Sequence, residues 1–216
     1  MHVLDKEIIY FPPVTSADEY GLLAIGGDLS SKRLLYAYNN GIFPWYEDGQ
    51  PILWYAPNPR MVLLFKDLKV SKSMKQVLKK KKFTVTKNKK FRAVITNCAQ
   101  QKRKGQDSTW ITQDMIDAYC ELHKLGHATS FEVWENEELV GGLYGMDLKN
   151  KKVFCGESMF SKVSNASKVA FIYLAYHYYQ KNYKLIDCQV HNDHLESLGC
   201  IEIYREDFMN ILHNKI

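Results

Sequence analysis

From residue 112 onward, apolar runs of strand length and helix length follow one another in a set order, and that order limits the folds open to the chain. A helical pattern over 112–125 is ended by Gly126. Strand patterns follow at 129–134, 138–148 and 152–160, the first two divided by a turn at Asn136. Then come a helix over 166–181, a strand over 185–190, a short helix over 194–198 stopped by Gly199, a strand over 201–204 and a last helix from Glu206. The order β-β-β-α-β-α-β predicts a mixed α/β (α+β) domain whose middle strands are buried. At 216 residues, 46% hydrophobic and 25% charged, the chain can bury one core or two unequal ones, which excludes disordered, collagen-like and small disulfide-bonded proteins.

Residues 1–62 are punctuated by turn signals: Pro12-Pro13, Gly26-Gly27-Asp28 and Gly41-Ile-Phe-Pro-Trp45. That density predicts a small N-terminal module, 1–62, with little regular structure, leaning on a larger domain over 63–216. Its one predicted helix is capped by Asp28 or Ser30, carries Arg33, Leu34, Leu35 and Tyr38 in helical spacing, and stops at Gly41.

A net charge of +5 conceals an uneven distribution. Residues 66–104 hold fifteen Lys or Arg against one acid, Asp67, so this stretch carries +14 and the remainder −9. A basic helix over 71–82, capped by Ser71, turns Met74, Val77 and Leu78 to one side and Lys72, Lys75, Lys79 and Lys82 to the other, with Lys80 beside them. A solvated surface helix is the plainer alternative. Lys87, Lys89, Lys90 and Arg92 follow with almost no acids to pair with, however, and their repulsion favours a polyanionic partner such as nucleic acid. Tyr38, Phe43, Trp45, Tyr46, Trp54, Tyr55 and Trp110 cluster near the module boundary, where they suit either a core or stacking on unpaired bases.

Five cysteines, an odd number without a Cys-x-x-Cys pair, predict a reduced cytoplasmic compartment. No basic segment leads into a long apolar run at the N-terminus, and no run approaches the roughly 18 apolar residues of a membrane span, so no membrane segment is predicted. Cys188, His191, His194 and Cys200 are zinc-ligand types, but their spacing matches no structural zinc pattern and no metal is expected.

Two sets of residues are candidates for chemistry. Glu157 stands beside a glycine inside the apolar run Phe154-Cys-Gly-Glu-Ser-Met-Phe-Ser161, where a carboxylate needs a cation or donors: it is either a structural ion-pair member or a group that binds an amine. In Leu185-Ile-Asp-Cys-Gln-Val190, strand alternation places Asp187 and Gln189 on one face and Ile186, Cys188 and Val190 on the other. Acyl-coenzyme A acetyltransferases share this element order, but they hold pyrophosphate on a glycine-rich turn before a helix. The equivalent stretch here, Ser161-Lys-Val-Ser-Asn-Ala-Ser-Lys168, has no glycine, so coenzyme A is not expected. Gly141-Gly142 and Gly145 lie inside a strand and read as a bulge or close backbone approach.

Taken together, Gly21-Leu-Leu-Ala-Ile-Gly-Gly-Asp-Leu-Ser30, Arg33-Leu-Leu-Tyr-Ala-Tyr38, Gly41-Ile-Phe-Pro-Trp45, Leu53-Trp-Tyr-Ala-Pro-Asn-Pro-Arg60, Thr109-Trp-Ile-Thr112, Cys155-Gly-Glu-Ser-Met-Phe-Ser161, Asn165-Ala-Ser-Lys168 and Asp187-Cys-Gln189 closely resemble leucyl/phenylalanyl-tRNA–protein transferases, in order and over nearly the whole chain. The resemblance implies a GNAT-like acyltransferase domain with a small N-terminal module, working as a cytoplasmic monomer without a cofactor. Its substrates would be aminoacyl-tRNA carrying Leu or Phe and acceptor proteins with N-terminal Lys or Arg, which the transfer marks for N-end-rule degradation. It implies that Asp187 and Gln189 orient the attacking amine and relay its proton, and that Glu157 holds a substrate amino group. Tyr38, Trp45 and Trp110 would hold the 3′-terminal adenosine, while Leu143, Phe154, Met159 and Ile186 would line the amino-acid pocket. Lys72, Lys75, Lys79 and Lys80 would contact tRNA phosphates. The competing expectations are a non-catalytic RNA-binding protein and an acyl-CoA-dependent N-acetyltransferase.

Overall fold

The computed structural model describes residues 2–101 and 109–214; Lys102, Arg103 and Lys104 of the basic stretch lie outside them. The N-terminal part contains β1 (His2–Leu4), β2 (Leu22–Gly26), α1 (Ser31–Asn39), β3 (Phe43–Pro44) and β4 (Leu53–Tyr55). Its strands form a sheet in the order β1-β2-β4-β3, so the expectation of little regular structure is corrected. These strands are so short that the turn residues flanking them mask their alternation. Of the two candidate caps it is Ser30 that accepts from the Arg33 amide, and Gly41 follows the helix at φ +73°. Arg33 is fully buried and donates to Asp28 and to the carbonyls of Asp5, Lys6 and Ile8, tying the N-terminal strand to α1.

The rest of the chain is built on a mixed sheet of seven strands. In chain order its elements are β5 (Arg60–Leu64), α2 (Lys72–Lys79), β6 (Thr84–Lys87), α3 (Phe91–Gln100), α4 (Gln113–Lys124), β7 (Ala128–Glu135), β8 (Glu138–Leu148), β9 (Val153–Ser161), α5 (Ala166–Tyr179), β10 (Leu185–Gln189), α6 (Asp193–Glu196), β11 (Ile201–Ile203) and α7 (Arg205–Leu212). The strand order is β11-β5-β10-β9-β8-β7-β6, and only β9 and β10 run parallel. β5 straddles residue 62 and belongs to this sheet. The strand β6 and helix α3 are elements that the sequence pattern does not predict.

Strand alternation divides the core between the two faces of the sheet. Tyr144, Met146 and Leu148 of β8 join a cluster with α3, α4 and the N-terminal aromatics, whereas Leu143 joins one with α5. α5 carries apolar residues on nearly every side and lies across β7, β8 and β9. The glycines of β8 allow this packing. A Cβ on Gly141 would lie 2.5 Å from Cβ of Ala166 in the first turn of α5, and one on Gly145 would lie 2.1 Å from the Cys155 carbonyl oxygen. The β8–β9 register also shifts between Tyr144 and Gly145.

The basic helix is shorter than its spacing predicts. Ser71 caps α2 as expected, but Lys81 takes a left-handed φ of 50° just beyond it and ends the cationic row. Lys82 consequently lies outside the helix and pairs with Glu135 at 2.9 Å.

Candidate active site

A cavity of about 500 Å³ opens over the middle of the large sheet, where β8, β9 and β10 meet the β3 segment and the loop after β10. Leu143 reaches it from β8, Phe154 and Met159 from β9, and Ile186 from β10; Phe171 and Leu174 of α5 complete an apolar wall. Trp45, beside β3, and Trp110, before α4, line it from the other side. Eight of the ten residues expected in catalysis or substrate binding therefore converge on one cavity, since Glu157 and Gln189 line it too.

Those two are joined, with Gln189 Nε2 donating to Glu157 Oε1 at 2.8 Å. The Tyr119 hydroxyl donates to the other carboxylate oxygen at 3.1 Å, and the Tyr38 hydroxyl is in short contact with that of Tyr119. Burial pushes the Glu157 carboxyl up to about 7, against the lowering effect of the Tyr38 and Tyr119 hydroxyls, while the negative Asp187 adds to the rise. Both tyrosines are driven well above their ordinary range, chiefly by burial, so they stay protonated.

Tyr38 and Asp187 do not line the cavity. Tyr38 is 1% exposed and stands behind Glu157, in the hydroxyl chain rather than facing a ligand. Asp187 is wholly buried, and its two oxygens accept from Nε and Nη2 of Arg60 at 2.8 and 2.7 Å. The simple alternation expected of β10 is also interrupted. Its register against β5 shifts between Asp187 and Gln189, and Gln189 adopts φ +68°. Asp187 thus turns toward Arg60 while Gln189 turns into the cavity.

Two members of the site, Arg60 and Tyr119, carry no local signal in the sequence. Arg60 is the first residue of β5 and is 127 residues from its partner, and Tyr119 falls on the apolar side of α4, where it reads as core. The four residues of zinc-ligand type are only partly brought together. Cys188 and Cys200 approach to 3.7 Å between sulfurs, while His191 instead neighbours the exposed acids Asp193 and Glu196.

On the outer surface, Lys72, Lys75, Lys79 and Lys80 are all exposed, and among the described residues none of the four is in an ion pair. Arg92, by contrast, pairs with Asp117 at 2.6 Å. No helix among the described residues is long and apolar enough to cross a membrane.

Comparison with known proteins places the chain in a family. The family "Leucyl/phenylalanyl-tRNA protein transferase" matches residues 62–213, and its N-terminal domain matches residues 27–58. A leucyl/phenylalanyl-tRNA–protein transferase of Flavobacterium johnsoniae is 64% identical over 215 residues, covering 100% of both chains. Proteins of the same name from Flavobacterium psychrophilum (98% of this chain, 99% of the relative) and Christiangramia forsetii (94% and 95%) are 58% and 56% identical. Among solved structures, a GCN5-related N-acetyltransferase from Kribbella flavida aligns with a TM-score of 0.42 at 10% identity, over 78% of this chain and 60% of that one, too loose a likeness to carry an assignment. Matched along nearly its whole length, the chain belongs to the leucyl/phenylalanyl-tRNA–protein transferase family and is an aminoacyl-tRNA-dependent transferase.

Proposed function

We propose that this enzyme transfers Leu or Phe from its tRNA to the N-terminal α-amine of proteins that begin with Lys or Arg, marking them for N-end-rule degradation. It works in the cytoplasm as a monomer. The observation that carries the reading is the Gln189–Glu157 pair set beside the apolar wall of the cavity. The apolar side, Leu143, Phe154, Met159 and Ile186, suits a Leu or Phe side chain, and the polar pair suits the incoming amine. Trp45 and Trp110 offer ring faces for the terminal adenosine.

The reaction is aminolysis of an ester. The amine nitrogen attacks the aminoacyl carbonyl, a C–N bond forms, the C–O bond to the ribose breaks, and the ribose oxygen leaves with a proton. The ester is already activated, so the protein has only to align the partners and accept a proton from an amine whose ordinary pKa is about 7.7–8.0. A Glu157 carboxyl poised near 7 matches that need, and Gln189 is placed to orient the same amine. The exposed lysines of α2 would hold the acceptor stem by its phosphates without reading the tRNA sequence.

Label transfer from charged leucyl-tRNA to a peptide with N-terminal Arg tests the reading. Transfer is expected, and it should disappear when the peptide amine is acetylated. Absence of transfer with intact charged tRNA would overturn it.

A further inference from the structure

We infer that Arg60 is a positioning residue for this transfer: it fixes the Asp187 carboxyl group in place, and Asp187 in turn holds the Gln189 backbone in the turn that aims the Gln189 side-chain amide at Glu157. The inference rests on the reaction proposed above. Arg60 is 1% exposed and Asp187 wholly buried, and the guanidinium fork meets both carboxylate oxygens. Two rings clamp the guanidinium, with its central carbon 4.8 Å from the centroid of Phe43 and 4.7 Å from that of Phe208. Phe43 also lines the cavity, so the clamp and the substrate wall share a residue.

From this anchor the order passes to the site in two hydrogen bonds. The Gln189 amide donates to Asp187 Oδ1 at 3.0 Å, where β10 shifts register and Gln189 takes φ +68°. A residue with a side chain adopts that conformation only where its surroundings impose it. The Gln189 side chain then donates to Glu157 at 2.8 Å. Asp187 faces a guanidinium rather than the cavity, so its part is to hold geometry, while the proton of the amine is taken at Glu157.

The test uses Arg60→Met, Asp187→Asn and the double variant, each assayed with leucyl-tRNA and an N-terminal-Arg peptide, with thermal melting as a check on folding. Arg60→Met leaves a buried carboxylate without its cation and should lower kcat/KM for the acceptor peptide about 100-fold. Adding Asp187→Asn removes that charge and keeps an oxygen for the Gln189 amide, so the double variant should recover about tenfold. The KM for leucyl-tRNA should stay within about twofold throughout, because the two substituted residues, Arg60 and Asp187, do not line the cavity. If Asp187 itself took the proton, the double variant would be no better than Arg60→Met, and the inference falls. It falls equally if Arg60→Met is fully active or if both KM values rise together with loss of stability. Should Arg60→Met not fold, Arg60→Lys keeps the charge without the fork and should lose about tenfold in acceptor kcat/KM alone, unchanged activity being the contrary result. A wild-type enzyme without transfer would overturn the reaction itself, whereas an active wild type with an unrestored double variant overturns only the clamp.

Discussion

Glu157 is held between burial, which favours its neutral form, and the donors Gln189 and Tyr119, which favour its anion. Its folded value of about 7 lies above the ordinary 4.5, so the folded protein binds this proton more tightly than the unfolded chain does. The stability that follows is full below about pH 4.5 and is lost as pH rises through about 7. Thermal melts should therefore show the wild type losing ground to Glu157→Gln between those limits, and parallel curves would contradict the shift. The transfer rate of the wild type should rise through about pH 7 as the carboxyl ionises, and that step should be missing in Glu157→Gln. Asp187 is a different kind of acid. Asp187→Ala strips Arg60 of its buried partner and should cost about 3–5 kcal/mol in urea unfolding, the penalty for leaving such a charge unpaired.

At the scale of elements, the lysine-rich stretch is anchored by a buried acid from a neighbouring strand. Glu132 of β7 is wholly buried and accepts from the Thr86 and Ser130 hydroxyls at 2.6 and 2.5 Å and from the Lys89 and Lys90 amides at 3.2 and 3.4 Å. It thereby joins β6 to β7 and satisfies donors at the start of α3. Glu132→Ala should cost about 1–3 kcal/mol, with faster amide exchange at Lys89 and Lys90, because four donors are left without an acceptor. The glycines of β8 are as exacting. Gly145→Ala would drive a methyl against the Cys155 carbonyl at 2.1 Å, and a loss of about 1–3 kcal/mol or more is expected in the melt.

At the scale of the whole molecule, the uneven charge sets the exposed lysines apart from the cavity, and the function proposed above gives the two different work. Lys72, Lys75, Lys79 and Lys80 are exposed on α2 and at its end, while Glu157 and Gln189 lie in the cavity of the central sheet. Reversing Lys79 and Lys80 to Glu should weaken tRNA binding and flatten its log–log salt dependence by roughly 0.7–0.9 for each phosphate that is no longer neutralised, with the melting temperature little changed. Much of this plan was legible beforehand. β8 runs over the residues that its apolar run marked, and Ser30 and Ser71 cap helices because a hydroxyl there meets a free amide three residues on, as Thr112 also does at α4 although the helical pattern in the sequence begins with it. Helix α3 has Phe91, Val94, Ile95 and Cys98 at helical spacing, a signal that the surrounding lysines obscure. The amino-acid sequence by itself determined the order of elements from residue 112 onward, the caps of α1 and α2 and the residue types of the site, since these depend on neighbours a few positions apart. Only the tertiary structure decided that Asp187 turns to Arg60 rather than to the cavity and that Tyr38 stands behind Glu157. Those choices depend on a bulge in β10 and on partners as much as 127 residues away, which local spacing does not encode.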